Sequence, residues 1–233
     1  MPVAIVDNGI KQATGASGTT CTKNQALTAG ANLLVIWTVN HGANACTGVT
    51  FNGVSMTSLG EATCSYFGNI KRTKMWYLEN PDTGSAYDIV ATWGTSVFDK
   101  ILVGASFSGY GSFGTAYTHN SAIDSVSSNP ALTIADWASG DYATGCVSCL
   151  GIANDPTEDN TLIAEQSVSF NDDHWANAEY STSTGSLSWT LAAWVGAIVG
   201  AAIKPAAATG QPASRRMGGV KFAGNQSSGM NRW

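Results

Sequence analysis

Apolar and polar positions alternate over short stretches of this protein, and turn-forming residues interrupt the pattern roughly every 8–12 positions. Short β-rich runs at that spacing predict a sandwich or a barrel. The run NLLVIWTVNH at 32–41 is almost continuously apolar and predicts a central strand. In GVTFNGVSMTSL (48–59), Asn52-Gly53 lies between two alternating segments, which is the strongest short-range hairpin signal. The segment 70–80 alternates and stops at Pro81-Asp82-Thr83-Gly84, a turn sequence, and 86–93 is expected to be its partner strand. Residues 99–109 set Ile101, Val103, Ala105 and Phe107 against Leu102, Gly104, Ser106 and Ser108, giving one apolar face and one small face.

Further β-rich runs occupy 130–137, 141–153, 161–170, 177–185 and 192–204. The last keeps a period of two through Val195, Ala197, Val199, Ala201 and Ile203, and its glycines and valines disfavour helix. Residues 108–117, with scattered glycines, read as a surface loop. Ten or so strands without a convincing helix predict an all-β fold, an antiparallel two-sheet β-sandwich of jelly-roll-like type, spanning 1–204. Beyond Lys204 come two prolines and no apolar periodicity, so 205–233 is expected to be an extended, basic, glycine-rich C-terminal arm.

Charge sharpens that division. Residues 1–203 hold six Lys/Arg against sixteen Asp/Glu, a net charge of −10, whereas 204–233 hold five basic residues and no acid. Charged residues make up only 12% of the total, and small polar residues fill the deficit. Such a surface is flat and neutral and suits packing against other protein. The arm cannot build a core of its own, because its glycines loosen the backbone and its apolar residues are widely spaced. Met217, Val220, Phe222, Met230 and Trp233 are expected to fill pockets on a partner. Arg215, Arg216, Lys221 and Arg232 would meet carboxylates or carbonyls there. Nucleic acid is disfavoured as that partner, since four charges over some twenty residues make a weak patch and the acidic body repels a polyanion.

Candidate chemistry adds little. No nucleophile elbow, phosphate-cradling loop or dinucleotide fingerprint occurs. The five cysteines read as reduced, buried thiols. Cys146 and Cys149 have C-x-x-C spacing but lie in a strand pattern, where i and i+3 face opposite sides, and the three histidines lack ligand spacing. No metal or cofactor is therefore expected. The acidic stretches ANDPTEDN (153–160) and FNDDHW (170–175) are composed of turn residues, and turn capping outweighs calcium binding, sugar binding or acid–base catalysis there. Trp37, Trp76 and Trp93 read as core. Trp175, beside Asp172, Asp173 and His174, reads as a candidate glycan-stacking or partner-binding loop. No basic n-region and apolar h-region precede PVAIVDNGI, so synthesis in a cytoplasm, with retention there or release by lysis, is expected. The longest apolar run, 191–203, is too short for a membrane helix, and no membrane partner is expected.

The succession ANLLVIWTVNH, VTFNGVSMTSLG, TKMWYLENPDTGSAYDIVATW and ILVGASFSGY resembles a β-sandwich module common in bacteriophage structural proteins. Its marks are an L-L-V strand, an NGV hairpin, a W-Y-L strand and a P-x-T-G turn, and the match is best over 30–110. RRMGGVKFAG is similar to the C-termini of such virion proteins. The resemblance implies a non-enzymatic virion component, either a capsid decoration (cement) protein or a head-attached fibre base. Its partners would be the major capsid protein or neighbouring copies of itself, in a homo-oligomer expected to be a trimer. The alternative is a carbohydrate-binding, lectin-like module of a phage tail or fibre that takes a host-surface glycan.

Overall fold

Three long stretches of backbone bend at the same level, and that crease organises the N-terminal half. The computed structural model describes residues 1–66, 69–121, 130–150, 157–158, 160–170, 172–190 and 196–207, and among these every helix or strand element is a strand. The predicted arm beyond 207 lies outside the described residues. Strands β1 (Ala4–Thr14) and β2 (Gly18–Ala26) run one after the other antiparallel to the 23-residue β8 (Ala86–Ser108). On the other side of β8, β3 (Leu33–His41) and β4 (Cys46–Phe51) do the same. β1 and β3 flank the C-terminal half of β8, whereas β2 and β4 flank its N-terminal half.

Registers shift between Gly18 and Thr20, between Asn40 and His41, and between Cys46 and Gly48, while Asp99 adopts φ 49°. The sheet therefore folds back on itself. Lys100 fixes the crease: its fully buried ammonium donates to the Ala16 carbonyl at 2.7 Å and to the Val97 carbonyl at 2.8 Å. These acceptors belong to the β1–β2 turn and to the bend of β8, so one cation ties two of the three creased stretches.

One leaf is completed by β5 (Val54–Ser55) beside β4, the other by β7 (Asn69–Glu79) and β6 (Thr57–Tyr66) beyond β3. Asn52 at φ 49° and Gly53 at φ 75° form the predicted hairpin turn between β4 and β5, where Phe51 pairs with Val54. The expected pairing of 70–80 with 86–93 does not form: β7 lies between β3 and β6, and β8 begins in the opposite leaf. The Pro81–Gly84 turn reverses the backbone but carries it across the sandwich. Between the leaves lies one core, with Ile10, Leu34, Ile36, Trp76 and Leu102 meeting Cys21, Val49, Phe51, Ile89 and Trp93.

The outer face of the β1-β8-β3-β7-β6 leaf packs on a second sheet, ordered β13-β14-β11-β16-β9. Its members are β9 (Tyr110–Ser121), β11 (Tyr142–Leu150), β13 (Thr161–Phe170), β14 (Asp172–Ser181) and β16 (Gly196–Pro205), and every pairing is antiparallel. This central sandwich explains the run at 32–41. Leu33, Val35, Trp37 and Val39 enter the central core, Leu34 and Ile36 enter the core between the leaves, and β3 is buried on both faces. The alternation at 101–107 and at 197–203 likewise points into the central core.

A small sheet of β10 (Ala131–Thr133), β15 (Ser186–Thr190) and β12 (Thr157–Glu158) covers the far side of β11 and β16 and closes a third core around Leu132, Val147, Leu187, Trp189 and Ile198. Gly145 and Gly200 make room for this cover. A Cβ on either would come within 2.8–2.9 Å of Leu187 or Leu132. The protein is thus an all-β antiparallel sandwich whose two central sheets each carry a further layer.

Residues 110–117, expected to be a loop, form part of edge strand β9. Glycines there admit close neighbours: a Cβ on Gly114 would overlap the Asp136 carboxylate, and one on Gly111 would sit 2.5 Å from the Ala206 Cα. The expected loop at Asp172–Trp175 is corrected as well. These residues open β14, pairing in order with Phe170, Ser169, Val168 and Ser167, so the segment is extended strand.

Candidate functional site at the end of β16

The described backbone leaves the fold along β16. Lys204 pairs with Ser112 and Pro205 with Tyr110, and the Ala206 N–H donates to the Gly109 carbonyl at 2.9 Å. The Lys204 ammonium donates to the Asp136 carbonyl at 2.9 Å and lies 3.9 Å from the Asp136 carboxylate and 3.8 Å from that of Asp141. Both acids serve the backbone too: Asp136 accepts from the Thr115 N–H at 2.8 Å and Asp141 from the Ala138 N–H at 3.0 Å. The Trp137 indole donates to the Asp141 carbonyl at 3.1 Å. β9, β16 and the 136–141 turn are therefore tied around one cation at the end of β16.

Aromatic side chains crowd the same end of the central core. Phe113 lies 4.8 Å from the Tyr77 ring and 5.2 Å from the Tyr110 ring, Phe107 meets Tyr142 edge-on at 6.2 Å, and Tyr142 stacks on Tyr180 at 5.2 Å. All but Phe107 are half-buried against that core. Asn32 grips the Tyr110 backbone in both directions, accepting from its N–H at 3.1 Å and donating to its carbonyl at 3.0 Å. The Tyr110 hydroxyl donates to Glu79 at 2.8 Å. Burial, then the hydrogen bond and charge of Glu79, push the Tyr110 phenol well above the ordinary tyrosine range, and burial with Tyr180 nearby raises Tyr142. Both phenols stay neutral at physiological pH, so this rim offers ring faces and hydroxyls rather than anions.

Elsewhere, buried polar groups hold layers together. The Trp93 indole donates to Asn40 at 2.9 Å, Trp76 to Thr38 at 3.0 Å and Trp189 to Asn177 at 3.0 Å. Buried Glu179 accepts from the Asn160 side chain and from the Ser188 N–H, both at 2.9 Å, joining β14 to the cover. The five cysteines are buried and free of disulfides, and burial raises the thiols of Cys21, Cys46, Cys64 and Cys146. Cys146 faces the central core and Cys149 the third core, as i and i+3 on a strand require.

Of the sequence-predicted site residues, Asp172, Asp173 and His174 are placed by backbone register alone. Trp175 stands opposite Cys149 and Ser167, half-buried against the third core. Arg215, Arg216, Met217, Val220, Lys221, Phe222, Met230, Arg232 and Trp233 lie outside the described residues. In the 153–160 stretch, Thr157 and Glu158 pair with β15, and Asn160 reaches Glu179. Sequence reasoning missed Lys100 and Glu179. The signal for Lys100 was the Asp99-Lys100 pair set between apolar runs, which marks a bend, whereas a single Glu in an alternating strand carries none. No family model matches the sequence, and comparisons with curated proteins and with solved structures find no match either.

Proposed function

We propose that the protein is a non-enzymatic structural component of a tailed-phage virion, a capsid decoration protein or the base of a head-attached fibre, which docks through its C-terminal arm. The observation that supports this most directly is the rooted exit. Lys204 and Ala206 are held by Asp136, Asp141 and Gly109, so a basic, aromatic-tipped extension starts from a fixed point on an acidic body. An anchored root limits the volume the arm must search and raises its effective concentration at a partner site. The partner is the major capsid protein or a neighbouring copy, and self-association as a trimer belongs to the same proposal.

Deleting residues 213–233 is expected to leave the strand signal in circular dichroism and the melting temperature unchanged while abolishing incorporation into particles. Incorporation of the truncated protein at full occupancy would overturn the docking role. Trp175, the stacking residue of the carbohydrate alternative, is a strand residue packed against the third core. Strong binding on a glycan array would favour that alternative over the virion role.

A further inference from the structure

We propose that Asn8-Gly9 is a site of spontaneous covalent modification, at which the Asn8 amide is converted to aspartate and isoaspartate, while the other Asn-Gly pair, Asn52-Gly53, is held unreactive by its turn. The Gly9 nitrogen loses its proton to solvent base and attacks the Asn8 Cγ. An N–C bond forms, the Cγ–Nδ2 bond breaks, and Nδ2 leaves as ammonia, giving a five-membered cyclic imide. Water then opens either carbonyl. Cleavage of the Cγ–N bond gives aspartate, and cleavage of the backbone C–N bond gives isoaspartate. No electron is transferred, and water is the only co-reactant.

This ring closure needs a free side chain, a following residue without a Cβ, and room for the backbone to turn. Asn8 has all three. It is exposed, and no hydrogen bond among the described residues engages its side chain. Asp7 pairs with Ser106 and Ile10 with Gly104, so Asn8 and Gly9 together face the single residue Ala105 in a bulge of β1. Gly9 has φ 71°, and a Cβ there would meet nothing within 4 Å. The neighbouring Asp7 carboxylate is occupied by the Thr28 N–H at 3.0 Å, the Thr28 hydroxyl at 2.6 Å and the Ser106 hydroxyl.

Asn52 is also exposed and followed by an unhindered glycine, and it differs in the bonds that hold it. Its Nδ2 donates to the Asp82 carboxylate at 2.8 Å, its N–H donates to the Asp88 carbonyl at 3.1 Å, and the Phe51–Val54 pair closes the turn around it. The Asp82 bond must break before the ring can close, and its charge opposes the anion that forms on cyclisation.

The test is incubation of the full-length native protein at mildly alkaline pH, followed by proteolysis, mass spectrometry and isoaspartate-specific methylation. The residue-8 peptide is expected to convert about tenfold or more faster than the residue-52 peptide, the rate equivalent of one hydrogen bond to a charged group. In denaturant the two rates should converge, and Asp82→Ala should accelerate conversion at Asn52 in the folded protein. Equal native rates, faster conversion at Asn52, or an unmodified Asn8 would each overturn the assignment.

Discussion

The two sheets that meet in the central core are built from opposite kinds of residue. The leaf supplies Leu33, Val35, Trp37, Ile101, Val103 and Phe107, whereas the second sheet answers mostly with Ala164, Ala176, Ala178, Ala197 and Ala201. Large groups on the leaf thus face many small ones on the second sheet, whose own bulk comes from Ile163, Val199 and Ile203. The core between the two leaves works differently, with bulk on both sides and with Trp76 and Trp93 each donating to a buried polar group. Trp37, against the alanines, has no hydrogen-bond partner for its indole N–H among the described residues. The indoles therefore separate the two cores: those of Trp76 and Trp93 make directed polar ties between the leaves, whereas Trp37 is held by packing, and the central core is crossed instead by the Thr73 hydroxyl.

That contrast can be broken at each side. The largest effect is expected from Trp93→Ala, which empties a fully buried site and leaves Asn40 without its donor; urea unfolding should show a loss of about 3–5 kcal/mol. Ala178→Leu should cost about 1–3 kcal/mol in the same measurement by overfilling the alanine side, and a neutral result would mean that the two sheets do not meet as tightly as described. Smaller still is Thr73→Val. It removes the hydroxyl that crosses from β7 to the Ala197 carbonyl at 3.0 Å, but Ser148 still donates to that carbonyl at 3.2 Å, so about 0.5–1.5 kcal/mol is expected.

The smallest effect depends on pH. Burial raises the Asp7 carboxyl, but hydrogen bonds from Ser106 and Thr28 outweigh it and hold the group below its ordinary value of 3.8. Its contribution is fully present above 3.8 and is lost as pH falls through the lowered native value. Wild-type and Asp7→Asn proteins should therefore differ in melting temperature at neutral pH and converge in acid.

The contrast also explains what was legible in the sequence. β3, the Asn52-Gly53 hairpin and β16 were readable because burial leaves an apolar signature or a turn demands particular residues. β1 and β2 were not, since in GTTCTKNQA only Cys21 is buried and no apolar alternation marks the strand. β9 was hidden by glycines that serve close packing rather than flexibility. Partnership across the crease left no local trace, because the Pro81–Gly84 turn determines where the backbone reverses but not which strand it reaches next. At the candidate site, the basic C-terminal segment stood out by composition, yet the groups that hold Lys204 and Ala206 come from Asp136, Asp141 and Gly109, far from them in sequence.

The placement of β16 has a mechanical consequence. A load applied at the Ala206 end pulls this strand along its own axis, and β16 is paired along its length with β11 on one side and β9 on the other. Its hydrogen bonds are loaded together in shear, and none can be peeled open in sequence from a free edge. Gly109, whose carbonyl receives the Ala206 N–H, is also where the backbone approaches Pro2 so closely that a Cβ would overlap it, so both ends of the folded body meet at one pole. A tether at that pole distributes tension through the middle of a sheet and leaves the opposite end of the molecule unloaded.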